Sequence, residues 1–314
     1  MFRKDGDGKN SGSRGLPIGM RWLALGLSLL LGACNGSPGT SPGGTWTVRD
    51  SGTTHELKGV VFGGDRYVAV GENPTILTST DGMNWRSQNS GVDRWLQAVT
   101  YANNLFVAAG NGGAILSSSD GVFWRRYFTE LPYSLNGVIY GNSIFVVVGN
   151  SGLVLTSPDG VNWTERTWGL TDTLYSVIFG NSRFVAVGDG GSVFTSDNGL
   201  TWSSQTPATS SRLYGVAHGK NLFVAVGEVG VVLTSADGIT WTSRVSGTGN
   251  NLYGVAFGDN QLVAVGSSGL ILTSTDGITW TRQASGTTEW LYDVAHGGGR
   301  FVGVGASGTI VTSR

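Results

Sequence analysis

One cysteine, seven prolines and three histidines are scattered through 314 residues. A single cysteine leaves no internal disulfide framework, whatever the compartment. Only 13% of residues are Asp, Glu, Lys or Arg, and the formal charge is −1, so the basic footprint of a nucleic-acid binder is missing. The one long apolar run, Trp22 to Leu31, is too short to span a bilayer as a helix. No helical apolar period follows it. No His/Cys/Asp spacing suits zinc, no EF-hand-like loop suits calcium, and no Walker A sequence occurs, so neither a metal nor another cofactor is expected. G-x-S-x-G occurs once, at Gly39-Thr40-Ser41-Pro42-Gly43, without the strand–turn–helix context of a nucleophile elbow.

The apolar run does fit the core of a signal peptide. It follows a polar, basic stretch (Arg3, Lys4, Lys9, Arg14, Arg21) and leads into Leu31-Gly32-Ala33-Cys34, which resembles the bacterial lipobox. That resemblance implies that the Cys34 thiol receives a diacylglycerol and becomes the mature amino terminus, with residues 1–33 removed. An ordinary signal cut near Ala33, leaving a free thiol, is the alternative. Met20-Arg21 opens a compact signal by itself, making Met20 a second candidate start. Residues 34–44 carry no core pattern and form a tether reaching roughly 17–19 Å on average. The expected location is the cell envelope, held to a bacterial membrane by lipid alone on its periplasmic or surface side.

Glycine, by contrast, is abundant, at 52 residues, and shows no strict G-X-Y period. It punctuates a repeat. Tryptophans stand at 46, 85, 124, 163, 202, 241 and 280, and leucines at 57, 96, 135, 174, 213, 252 and 291, each 39 residues from the last. Between them, short alternating apolar runs are separated by Gly, Asn, Asp and Ser, the pattern of strands and tight turns. The first unit places strands near 57–62, 66–70, 75–79 and 84–88. A four-stranded antiparallel sheet cannot bury both faces alone, so the units must stack, and radial stacking makes a β-propeller. Seven repeats need 273 residues, whereas Trp46 to Arg314 supplies 269; Pro42 to Thr45 provide the rest. The expectation is an all-β, seven-bladed propeller over 45–314, monomeric, its ring closed by the strand around Trp46.

The turn before each tryptophan reads Ser79-Thr80-Asp81-Gly82 and recurs around Asp120, Asp159, Asp237 and Asp276. It resembles the Asp-box, or BNR, repeat of sialidase-type propellers, and the chain as a whole is similar to the Ycf48-like (HCF136) propellers over about residues 42–314. The usual box has its aspartate five residues before the tryptophan, as Asp197 stands to Trp202; the other five copies have it four before, and Pro42 takes its place in the seventh. These aspartates are expected to accept backbone N–H groups across the turn, a folding duty, rather than to form a catalytic or metal ring. The Ycf48-like resemblance implies help in assembling a membrane complex.

Departures from the repeat mark where something besides folding acts. The first B–C loop position holds Glu72, Asp189 and Glu228 among its seven residues; of these only Asp189 and Glu228 lie in neighbouring blades. Trp95, Trp168 and Trp290 lie in D–A loops outside the tryptophan register, Tyr175, Tyr214, Tyr253 and Tyr292 follow the register leucines, and Arg94 and Arg212 lie beside them. Exposed rings of this kind offer platforms for sugars or for the apolar side chains of a partner. The plainer account is that the rings fold over the blade tops and that the carboxylates are solvated turn residues. His218 and His296 fill a slot held elsewhere by Phe or Tyr and read as packing substitutes. Every loop keeps the repeat length, so nothing has been inserted to house a deep pocket. The leading expectation is a lipid-anchored, non-enzymatic binding or assembly scaffold for a protein or glycan. A glycan hydrolase or lyase working from Asp189, Glu228 and nearby tyrosines is the alternative, and a structural surface protein without a specific partner is a third.

Overall fold

In a computed structural model the described residues are 45–129, 131–166 and 169–314. They form seven antiparallel four-stranded sheets, six of them simple meanders. Strand β1 (Thr47–Arg49) comes first in the chain; the first complete blade is β2 (Leu57–Gly63), β3 (Arg66–Gly71), β4 (Ile76–Ser79) and β5 (Arg86–Gln88). These are the A, B, C and D strands of blade one, and five further blades repeat them. The seventh takes A, B and C from residues 291–312 and its D strand from β1, with Thr47 paired to Thr312 and Arg49 to Ile310. The propeller is therefore seven-bladed and closed by its amino-terminal strand. Closure removes the free sheet edge that invites aggregation, and Arg49 Nε donates to Thr312 Oγ1 at 2.9 Å across the seam.

The core lies between blades. Val68, Val70 and Ile76 of blade one pack with Leu96, Val99, Phe106 and Ala108 of blade two, and the other junctions repeat the arrangement. Strand B is buried along its length, because each of its faces meets a sheet. Large rings fill the outer part of each junction: Phe62 meets Tyr67 edge-on at 4.7 Å and Phe179 meets Phe184 at 4.6 Å. His218 and His296 stand in the same slot against Phe223 and Phe301. Burial lowers the His218 pKa, as packing within a core requires.

A meander puts the C–D turns at one end of the ring and the B–C and D–A loops at the other. At the C–D end, Asp81 Oδ1 accepts the N–H groups of Met83 and Asn84, both at 2.8 Å, and the Ser79 hydroxyl at 2.9 Å. Gly82 sits at φ +71°, where an L side chain is disfavoured. Its carbonyl accepts the Trp85 indole N–H at 3.1 Å. Asp120, Asp159, Asp237 and Asp276 accept the equivalent backbone N–H groups, with the indole bond repeated by Trp124, Trp241 and Trp280 but not by Trp163, and their carboxyls are held below the ordinary value by the backbone donors. Blade four departs from the expectation. Its turn is built on Asn198, whose Oδ1 accepts the N–H groups of Leu200 and Thr201. Asp197 instead binds Arg183 Nε at 2.9 Å. The repeat register places Asn198, not Asp197, opposite Asp81, and a neutral amide oxygen suffices for the turn. Pro42 lies outside the described residues.

Candidate functional site

The other end of the ring carries the irregular residues. In all seven blades the A–B pairing slips by one residue at the start of strand A, for example between Leu57 and Gly59. The extra residue of such a bulge is re-aimed relative to its strand. Here those residues are Lys58, Gln97 and Asn136, then Tyr175, Tyr214, Tyr253 and Tyr292. They line the axial mouth of the propeller.

Four successive tyrosines form an arc over blades four to seven, with ring centroids 5.4, 5.3 and 5.6 Å apart. Trp290 stacks on Tyr253 at 5.8 Å and remains 48% exposed. Most bulge residues reach the first B–C loop residue of their own blade. Gln97 donates to Asn111 Oδ1, Asn136 to Asn150 Oδ1, Tyr175 to Asp189 and Tyr214 to Glu228. Blade seven has Ala306 at that loop position, which offers no side-chain acceptor, and Tyr292 bonds Glu56 across the seam instead. Burial, and then the Asp189 acceptor, push the Tyr175 phenol up to about 12. Burial and Glu228 raise Tyr214, and burial and the Glu56 charge raise Tyr292. These phenols are neutral donors at physiological pH.

Asp189 and Glu228 do come together, bridged by Arg212. Its Nε lies 2.8 Å from Asp189 Oδ1 and its Nη1 3.3 Å from Glu228 Oε1. With an arginine between them and a tyrosine hydroxyl on each, both carboxylates are committed to bonds that orient the rim. Glu72 occupies the matching position in blade one, where Lys58 pairs with Glu56 and lies 4.0 Å over the Tyr292 ring. Trp95 is 42% exposed in the loop into blade two, and Arg94 lies beside it over the turn Asn111–Gly113, its Nη1 2.9 Å from where a Cβ on Gly112 would stand. Among the described residues neither Trp95 nor Arg94 touches the tyrosine arc. Trp168 and Cys34 lie outside the described residues.

Three features of this end were missed in the sequence. One is the bulge, which makes a ring of what read as seven strand residues. The second is the position after it, which holds Gly59, Ala98, Gly137, Ser176, Gly215 and Gly254, with Asp293 in the seventh blade. Neighbouring A strands approach closely at this neck: a Cβ on Gly254 would lie 2.8 Å from Asp293 Cα. The third is Val229, a β-branched residue at φ +53° and 68% exposed, where other blades carry Asn, Gly or Ser. Aligning the blades column by column exposes both the Asp293 and the Val229 substitutions.

Residues 132–248 match the family model described as the DUF6242 beta propeller domain. A comparison with curated proteins finds no match. Among solved structures the chain is similar to Ycf48 from Cyanidioschyzon merolae, at 20% identity over 86% of this chain and 98% of that one, with a TM-score of 0.69. It is similar to Ycf48 bound to a D1 peptide, at 20% identity over 85% and 96%, with a TM-score of 0.72. Virginiamycin B lyase from Staphylococcus aureus aligns at 10% identity over 85% and 98%, with a TM-score of 0.74. At these identities the likeness is one of fold. A peptide-bound protein and a lyase share it, so the fold by itself does not choose between binding and catalysis.

Proposed function

We propose that this chain is a binding scaffold of the cell envelope that holds a protein partner on its axial-mouth face and is anchored through a lipid on Cys34. The observation that carries the reading is the tyrosine arc with Trp290 stacked on it and half exposed. Blades one to three fold without those rings, so packing alone does not require them. Aromatic groups that are apolar in body and polar at the tip suit a protein interface. Ycf48 bound to a D1 peptide supports the reading by analogy of fold: a protein of similar fold takes a peptide. In this reading the aspartate turns belong to the Asp-box class and serve folding alone.

The test is site-specific photo-cross-linking in native envelopes, with the probe at Trp290 and, as a control, at Phe123 on the aspartate-turn end. A discrete partner should cross-link from Trp290 and not from Phe123; with the probe moved to the exposed Val229 on the same face, Trp95→Ala with Trp290→Ala should abolish its recovery while circular dichroism stays unchanged. Equal recovery by the double variant overturns the reading, and so does a cross-linked glycan with no protein. Anchoring is tested separately: Cys34→Ser should move the chain from the membrane to the soluble fraction.

A further inference from the structure

The axial mouth narrows to a cavity of about 170 Å³, below the few hundred Å³ of a site for a drug-sized ligand. It admits one side chain, not a folded segment. Its wall is the ring of bulge residues, and past the neck five blades contribute a valine, from Val99 to Val255. Asp293 is the one ionisable residue on the neck. Its Oδ2 accepts the Val60 N–H at 2.9 Å, the Val294 N–H also bonds the carboxylate, and its Oδ1 faces the bare Cα of Gly254, where a Cβ would lie 3.2 Å away. Among the described residues no side chain donates to it. The charged and titratable groups around it on the adjoining blades are Lys58, Glu56, Glu72, Tyr253 and Tyr292. Lys58 is turned to Glu56, and Arg212 is held by Asp189 and Glu228, so the mouth has five carboxylates to two cations. The tyrosine wall already takes an ammonium group, since Lys58 Nζ lies over the Tyr292 ring.

We infer that the neck receives the alkylammonium side chain of a lysine from the protein partner, its methylenes against the tyrosine faces and its Nζ on Asp293 Oδ1. Lysine fits better than arginine because the Val60 and Val294 N–H groups already occupy part of the carboxylate, leaving room for a point charge rather than for the two parallel bonds a guanidinium fork prefers. Burial pushes the Asp293 carboxyl up to about 7, the expected state of a buried carboxylate with no cation beside it. This inference rests on the mouth being the binding face, but its probe is a small peptide, so it can fail while that reading stands.

The experiment titrates the full chain with acetyl-Gly-Lys-Gly-amide and follows the Val60 amide by NMR, since that N–H donates to Asp293. The lysine peptide should shift Val60 at pH 8, with at least tenfold weaker binding at pH 5 or in Asp293→Asn, which keeps the acceptor for Val60. Peptides carrying norleucine or acetyl-lysine should leave Val60 unmoved. Equal binding by Asp293→Asn, equal binding by the norleucine peptide, or no shift at millimolar peptide each overturn the proposal. Binding by unblocked Gly-Gly-Gly as tight as by the lysine peptide overturns the lysine assignment in favour of a terminal amine. Binding that appears only in Lys58→Gln overturns it too, since Lys58 then fills the neck itself.

Discussion

The two ends of this ring are built from the same repeat and differ in how faithfully they keep it. At the C–D end, five blades carry the same Ser-x-Asp-Gly turn and a sixth substitutes Asn198 for the aspartate with its backbone bonds intact. At the mouth, the bulge residue is Lys, Gln, Asn or Tyr, and its loop partner is Glu, Asn, Asp, Ser or Ala. A turn that must be made once per blade has one good chemical solution, so its side chains repeat. The mouth needs only its backbone to repeat, because the bulge and the close approach of A strands fix the geometry; its side chains are free to answer to a ligand.

That contrast can be broken first at the mouth's own backbone. Gly266→Ala places a Cβ 2.0 Å from the Asn251 carbonyl oxygen, a clash with main chain that no rotamer relieves. The expected cost exceeds about 4 kcal/mol, measured by urea denaturation, although the position lies at the variable end. Next comes Asp159→Ala, which removes a charged acceptor from two backbone N–H groups and should cost about 2 kcal/mol without altering partner capture. The Asp159 carboxyl is depressed by those donors, so its contribution is fully present at neutral pH and is lost as pH falls below the ordinary aspartate range. A wild-type stability profile that declines below about pH 4, and declines less steeply in Asp159→Asn while the other four turn aspartates keep their share, checks the sign.

Asp293→Asn should act in the opposite sense. A carboxyl raised to about 7 in the folded state from 3.8 binds more protons folded than unfolded, so stability falls as pH rises between those values. The variant should therefore match wild type near pH 4 and exceed it clearly at pH 8, read from denaturation midpoints at the two pH values. The smallest effect belongs to Val229→Gly. Relieving a β-branched residue in left-handed backbone should stabilise by about 1 kcal/mol, and an accompanying loss of partner capture would assign that exposed valine to the interface.

The period revealed the blade number, the strand positions and the seam at Trp46, because register is a one-dimensional property of the chain. The tyrosines and the Asp189–Glu228 pair were found as deviations from it. Arg212 as their bridge was not, since which rim charges pair depends on distances across two blades. The bulge leaves no mark on spacing: its extra residue is present in every copy, so Lys58 and its equivalents read as ordinary strand residues. Asp293 was visible as a carboxyl in a column of Gly, Ala and Ser, but its meaning needed the neck. Asp197 has the usual spacing to Trp202, yet the chain's own 39-residue register puts Asn198 in the turn.

Strand β1 is made before any complete blade, yet it finds its partner last: Arg49 meets Thr312 across a separation of 263 residues. Until the final blade exists, Leu57, Val60 and Tyr67 lack Val302, Val304 and Ile310 to cover them. Ring closure is thus the step of highest contact order, and slow for that reason. Chains cut short before residue 310 should expose an apolar blade face and an unpaired edge together, the combination that drives association of unfinished chains.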